Sequence, residues 1–264
     1  TYLSPDAHGR IDPMQVRAGL RADTLLVSIM HANNEIGVIQ PIEQIAQVCH
    51  ERGVPLHVDA AQSAGKLEID VERWPVDLLS FTAHKLYGPK GIGALYFAAE
   101  RRAALQPLLF GGGQERGLRS GTLPVHQIAG FGVACELAGA LRAEEAARLE
   151  ALRARLWQGV ARLEGVLQNG HPTEHVANIL NLSFEGVEGE SLLLGLPELA
   201  VSTGSACNSD HDEPSYVLIA LGRSPELAQS SLRLSLGRFS SVQDVDLAIG
   251  AITREVRRLR RVAP

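Results

Sequence analysis

A parallel α/β domain over residues 1–142, followed by a smaller α+β domain over 143–264, is the architecture this sequence predicts. Three observations carry it. Apolar, β-prone runs alternate with helical patterns through the first half, and several of those runs end in polar side chains. After the Gly-rich stretch 111–117 the chain turns to a long run of Ala, Leu, Arg and Glu, and then to separated strands. Strand, helix and strand at this spacing join parallel strands through right-handed crossovers, and ligands of such open sheets bind at the strands' carboxyl ends.

The elements follow in order. Residues 24–30 (TLLVSIM) form a short apolar strand running into the polar cluster His31-Ala32-Asn33-Asn34-Glu35. Pro41 opens a helix with Ile42, Ile45, Ala46 and Cys49 on one face and Gly53 as its stop. Residues 54–58 are the next buried strand, ending at Asp59, and 77–81 (DLLSF) a third, ending in Thr82-Ala83-His84-Lys85. Residues 91–97 (GIGALYF) are a fourth, reached through a Gly/Pro turn. The run 125–165 predicts two long helices, and 179–184, 199–203 and 232–236 predict strands. An amphipathic helix over 242–259 closes the chain, with Val245, Ala248, Ile249, Ile252, Val256 and Leu259 on one stripe.

Composition excludes several functions. Hydrophobic residues at 45% and charged residues at 21% rule out wholesale disorder. A net charge of −5 supplies no global basic field for nucleic acid or an anionic membrane. The longest apolar runs fall far short of the roughly 20 residues that span a bilayer, so the sequence predicts a soluble protein. Three scattered cysteines, Cys49, Cys135 and Cys207, make neither a disulfide framework nor a metal or redox pair; together with the absence of a hydrophobic targeting core in 1–10 they point to a cytoplasmic setting.

Of the 25 basic residues only Lys66, Lys85 and Lys90 are lysine. Arginine replaces lysine where only charge is needed but cannot serve as an amine nucleophile, so these three positions are enriched for amine chemistry. Lys85 just past one strand end, with Asp59 at the end of the neighbouring strand, suits a pyridoxal phosphate site: an amine for the Schiff base and an acid for the ring nitrogen. Thr82 and His84 are candidate donors to the cofactor phosphate. Arg233 within a strand suits bidentate recognition of an amino-acid carboxylate, with a structural ion pair as the alternative. Cys49 and Cys135 fall in helical patterns and read as buried apolar residues, whereas Cys207 lies in a polar, Gly-containing loop with Asp210, His211, Asp212 and Glu213 nearby, as an exposed nucleophile does. GPKGIG lacks the Lys-Ser/Thr ending of a P-loop, His57 and Asp59 lack further ligands for a metal site, and the basic run 257–261 complements a helix dipole.

Six segments in succession, MHANNEIGVIQPI, HVDAAQSAGKLEID, SFTAHKLYGPKGIGALY, GGGQERGLRSGTLPVHQI, STGSACNSDHDEPSYVL and SSLRLSLGRF, resemble the signatures of the NifS/IscS-type cysteine desulfurases. These are pyridoxal-phosphate enzymes of the class V aminotransferase group. The resemblance implies PLP fold type I: a mostly parallel sheet flanked by helices in a large domain, and a smaller α+β domain carrying the Cys207 loop. It implies Lys85 as the Schiff-base lysine, Asp59 on the pyridine nitrogen, Gln62 on the ring hydroxyl, and Thr82 and His84 on the phosphate. Thr122 would reach the phosphate of a neighbouring subunit, which implies a homodimer. Asn34 and Arg233 would bind the carboxylate of L-cysteine, and Cys207 would accept its sulfur as a persulfide. Alanine is then the product, and an iron–sulfur scaffold or a tRNA-thiolation acceptor receives the sulfur.

The family's Gly/Ala-Thr phosphate loop, its ring-stacking His and its C-terminal docking tail have no counterpart in these residues, so the sequence predicts a fragment or a truncated gene product with an incomplete large domain. The competing readings are another class V aminotransferase or a selenocysteine lyase, and a catalytically inactive fragment of the desulfurase that acts as a binding or regulatory module.

Overall fold

The computed structural model of the chain describes residues 1–202 and 213–262. Two compact units emerge, one of Pro13–His31 and Gln40–Arg142, the other of Thr1–Asp12, Ala32–Ile39 and Ala143–Pro264.

The first unit is built on helix α1 (Pro13–Gly19), strand β1 (Val27–Met30), helix α2 (Ile42–Glu51), strands β2 (Leu56–Asp59), β3 (Leu78–Thr82) and β4 (Gly93–Phe97), and the first part of helix α3 (Val125–Val160). The sheet order is β1-β2-β3-β4; β1, β2 and β3 run parallel and β4 returns antiparallel to β3. Alternation decides the faces of β2: Leu56 and Val58 are buried, while His57 and Asp59 point the other way. On that second face His57 joins three strands, its Nδ1 2.8 Å from Ser28 Oγ and its Nε2 3.0 Å from Ser80 Oγ. Those bonds give His57 a cross-strand role, and among the described residues no group of three His, Cys, Asp or Glu could hold a metal.

Helix α2 buries Ile42, Ile45, Ala46, Val48 and Cys49. It ends where Gly53 takes a left-handed φ of 64°, a conformation glycine adopts without steric cost. Gly93 meets a tighter limit: a Cβ there would stand 2.7 Å from the Phe81 carbonyl oxygen, so only glycine lets β4 close against the end of β3.

The predicted pair of helices over 125–165 is a single 36-residue helix, α3. No proline or capping cluster interrupts this Ala- and Leu-rich stretch, so nothing offsets the gain of continuing the hydrogen-bond ladder. Its buried residues change along its length, from Phe131, Ala134 and Ala138 to Leu149, Leu152, Leu156 and Val160. Cys135 is exposed on this helix, against the expectation that it is buried, because the inward positions are 131, 134 and 138.

The second unit holds the antiparallel sheet β5-β6-β7, from β5 (Val166–Asn169), β6 (Ile179–Phe184) and, after helices α4 (Gly189–Leu194), α5 (Tyr216–Ala220) and α6 (Pro225–Gln229), β7 (Ser231–Ser235). Helix α7 (Val242–Val262) closes it. All six residues of the central strand β6 are buried. Leu180, Leu182 and Phe184 join Leu152, Leu156, Ile252 and Val256 in one core, each side chain worth roughly 1.5–3 kcal/mol on burial. The opposite face carries a polar network: Asn169 Nδ2 donates to Asn181 Oδ1 at 2.8 Å and to Ser183 Oγ at 2.7 Å, and Ser183 Oγ lies 2.7 Å from Ser231 Oγ.

The strand predicted over 199–203 reduces, among described residues, to an isolated bridge between Ser202 and Arg233. Pro197 has no N–H to give a ladder, and the Leu199 amide turns back onto the Leu196 carbonyl at 3.0 Å. The basic end of α7 is occupied structurally, with Arg258 paired to buried Glu255 at 2.6 Å and Arg260 Nη1 donating to the Glu164 carbonyl at 2.7 Å. Among the described residues no helix is long and apolar enough to cross a membrane.

Candidate functional site

In the first unit, chemistry-bearing residues collect at the carboxyl ends of β2 and β3. The register sets Asp59 opposite Ser80, so Asp59, Thr82, His84 and Lys85 all leave the sheet at the same end of adjacent parallel strands. Asp59 opens a tight turn: its Oδ1 accepts from the Ala61 amide at 2.8 Å, and the Ala64 amide closes on the Ala60 carbonyl at 2.8 Å. The capping role that a strand-end Asp commonly plays is thus real here, and it engages one carboxylate oxygen. Gln62 is buried on this turn, its Oε1 accepting from Lys66 Nζ at 3.3 Å.

Thr82 ends β3 with its Oγ1 donating to the Ile92 carbonyl at 3.3 Å and 2.9 Å from His84 Nδ1. Lys85 sits in the 3-10 turn Ala83–Leu86, exposed between buried Ala83 and Leu86. The Gly88 amide ties this turn to the Ala83 carbonyl at 2.9 Å, and Tyr87 takes a left-handed φ of 63° to leave it. Thr122 is exposed in the stretch leading to α3; no hydrogen bond among the described residues ties it to the strand-end cluster.

The donor set fits a pyridoxal-type ligand. An accessible primary amine, a carboxylate with an oxygen to spare, a buried amide and a hydroxyl–imidazole pair match an aldehyde, a basic ring nitrogen, a ring hydroxyl and a phosphate.

In the second unit, Asn34 and Arg233, 199 residues apart, are brought together: Arg233 Nη1 donates to the Asn34 carbonyl oxygen at 3.2 Å, and the Arg233 amide to the Ser202 carbonyl at 2.8 Å. Among the described residues no carboxylate lies within 4.0 Å of the Arg233 guanidinium, although its charge acts on the buried Glu35 carboxyl. The buried Nε of Arg233 lacks a hydrogen-bond partner among them, an orphan donor of the kind a carboxylate satisfies. Beside it, Ser215 Oγ donates to buried Glu35 Oε2 at 2.5 Å. Burial pushes the Glu35 carboxyl up, opposed by the Ser215 bond and the Arg233 charge. Cys207 lies outside the described residues.

Two residues at the strand-end cluster had no assigned role in the sequence reading. His31 follows β1, donates its amide to the Asp59 carbonyl at 2.8 Å and packs edge-on against Trp74 with centroids 5.2 Å apart. Burial pushes His31 down to about 4, and its Nδ1 and the Trp74 Nε1 are buried without partners among described residues. Lys66 is the other; its one signal was the scarcity of lysine. Cys49 is buried, and burial with the Asp77 charge pushes its thiol up to about 11, so it is no nucleophile.

A family model described as aminotransferase class-V matches residues 1–247. The chain is similar to the cysteine desulfurase IscS of Serratia proteamaculans, with 54% identity over 264 residues that make up all of this chain and 65% of that protein. The chain therefore spans less than two thirds of the length of the curated relatives it matches. Among solved structures it is similar to a NifS-like protein, with TM-score 0.86 and 34% identity over 99% of this chain and 68% of that one. It is also similar to SspA in complex with cysteine, with TM-score 0.77 and 39% identity over 91% of this chain and 67% of that one.

Proposed function

Since the chain belongs to the class-V aminotransferase family, we propose that it is the greater part of a pyridoxal-phosphate-dependent cysteine desulfurase, which converts L-cysteine to L-alanine and keeps the sulfur as an enzyme persulfide. The observation that carries this reading is the joint departure of Asp59, Thr82, His84 and Lys85 from the carboxyl ends of two paired parallel strands. The 54% identity to a cysteine desulfurase and the likeness to SspA in complex with cysteine support the choice of substrate.

Pyridoxal phosphate, when bound, supplies a covalent hold on the substrate amine and an electron sink for the charge left at Cα. Lys85 would hold the cofactor through its amine, and that amine, when free, would move the substrate's Cα proton. The Asp59 carboxylate keeps the ring nitrogen protonated, Gln62 bonds the ring hydroxyl, and Thr82 and His84 hold the phosphate together with Thr122 of a second copy in a homodimer. Asn34 and Arg233 bind the substrate carboxylate. The Cys207 thiolate then attacks the substrate sulfur: a sulfur–sulfur bond forms, the carbon–sulfur bond breaks, and Cβ takes up a proton to become the alanine methyl. The persulfide sulfur passes to an iron–sulfur scaffold or a tRNA-thiolation acceptor in the cytoplasm. Residues 1–142 form part of the large, cofactor-binding domain and 143–264 the small domain that carries Cys207.

The test is an absorbance spectrum of the protein after adding pyridoxal phosphate, with and without L-cysteine, followed by alanine and sulfide assays on the protein and its Cys207→Ala variant. A visible band that changes with cysteine, and sulfur transfer lost in the variant while cofactor chemistry persists, are the expected results. Unaffected sulfur turnover in Cys207→Ala rejects the desulfurase in favour of another lyase of the family.

A further inference from the structure

Lys66 has the wrong surroundings for a structural lysine. Its side chain is mostly buried, yet it makes no ion pair among the described residues; the nearest acidic residue in sequence, Glu68, pairs instead with Arg142 at 3.8 Å. The one hydrogen-bond partner of its ammonium among them is Gln62 Oε1, at 3.3 Å. A buried ammonium without a carboxylate costs stability, and such groups concentrate where chemistry needs them.

The local fold holds it there. Gln62 and Lys66, four residues apart, share one face of the turn that Asp59 caps. Between them Gly65 takes a left-handed φ of 70°, and a Cβ there would stand 2.4 Å from Leu86 Cδ2 and 2.9 Å from Ala138 Cβ. The backbone of this turn therefore lies hard against the turn that carries Lys85. Burial and, after it, the like charge of Lys85 bring the Lys66 amine down to about 8.

The consequence falls on Gln62. An amide side chain offers an oxygen acceptor at one corner and a two-proton donor at the other, and a lysine ammonium only donates. The bond from Lys66 therefore commits Gln62 Oε1 and leaves Nε2 as the corner free to donate elsewhere. Resting on the cofactor reading above, we propose that Lys66 is a positioning residue: it locks the Gln62 amide with Nε2 toward the ring oxygen of bound pyridoxal phosphate and so favours the ionised form of that oxygen.

With pyridoxal phosphate bound, a donor at the ring oxygen would promote loss of the proton that oxygen shares with the nitrogen held by Lys85. Removing that donor would retain the proton to higher pH. The test is a pH titration of the visible absorbance band of the cofactor-loaded protein, in the wild type, Lys66→Met, Gln62→Ala and the double variant. The expected result is a midpoint about one pH unit higher in each single variant, no further rise in the double variant, and a midpoint near the wild type in Lys66→Arg, which keeps the donor. Where Lys66→Met does not fold, Lys66→Leu, which also lacks a donor, takes its place with the same expected shift. An unmoved midpoint in a Lys66 variant that keeps its band overturns the proposal, and so do shifts that add in the double variant, since Lys66 would then act without Gln62. A wild type that shows no band at all overturns the cofactor reading and this proposal with it, whereas a normal wild-type band with an unmoved variant overturns this proposal alone.

Discussion

The two units assemble their candidate sites in opposite ways. In the first, Asp59 to Lys85 lie within one strand–turn–strand passage, and the parallel register of β2 and β3 delivers them to a common edge. In the second, Asn34 and Arg233 meet across 199 residues, through a hydrogen bond to a backbone carbonyl rather than to the Asn34 side chain. A site made from adjacent strand ends needs only the sheet. A site made from distant segments needs the whole core beneath it, here the buried strand β6 with its apolar and polar faces. The first should thus be sensitive to single catalytic atoms and the second to the framework that holds its charges.

The strongest way to break this contrast is Lys85→Ala. It should abolish the cofactor's visible band and lower turnover by at least about 10³-fold, the scale of a lost acid–base and covalent group, without altering thermal stability. Spectrophotometry and calorimetry on one preparation separate these effects, and a retained band would place the cofactor bond elsewhere.

Acid sharpens the comparison next, because the two units respond with opposite sign. In the first, burial lowers His31 from 6.5 to about 4, so the unfolded chain binds the proton more readily than the folded one. Stability is then full above about pH 6.5 and falls by about 3 kcal/mol as pH drops toward 4, and His31→Gln should flatten that fall. In the second, burial raises the Glu35 carboxyl, so its contribution is present at low pH and is lost as pH rises through the carboxylate range. Hydrogen exchange resolved by segment, followed from pH 4 to 7, reads both slopes. A common slope in the two units would contradict the assignment.

A smaller effect is expected at Arg233. Arg233→Met removes a charged donor from the proposed carboxylate site, and should lower kcat/KM for L-cysteine by roughly 10- to 100-fold, mostly through KM. The cofactor band should stay as in the wild type. Loss of the band in this variant would show that the two sites are not separable.

The sequence by itself determined the strand–helix alternation, the parallel pairing, and the candidate residues at the ends of β2 and β3, because all of these rest on short-range signals. Hydrophobic period, glycine stops and strand-end polar clusters are readable within a dozen residues. It also singled out Arg233 through the oddity of a charge inside a strand. What it could not decide depended on competition between distant groups. The run 125–165 predicts two helices, and only the change of buried side chains along α3 shows that a single helix meets both demands. The exposure of Cys135, the cross-strand bonds of His57 and the buried, unpaired ammonium of Lys66 follow from which face of an element is covered. That is a property of tertiary packing: the same side chain is solvated or desolvated, partnered or orphaned, according to residues far away in the chain.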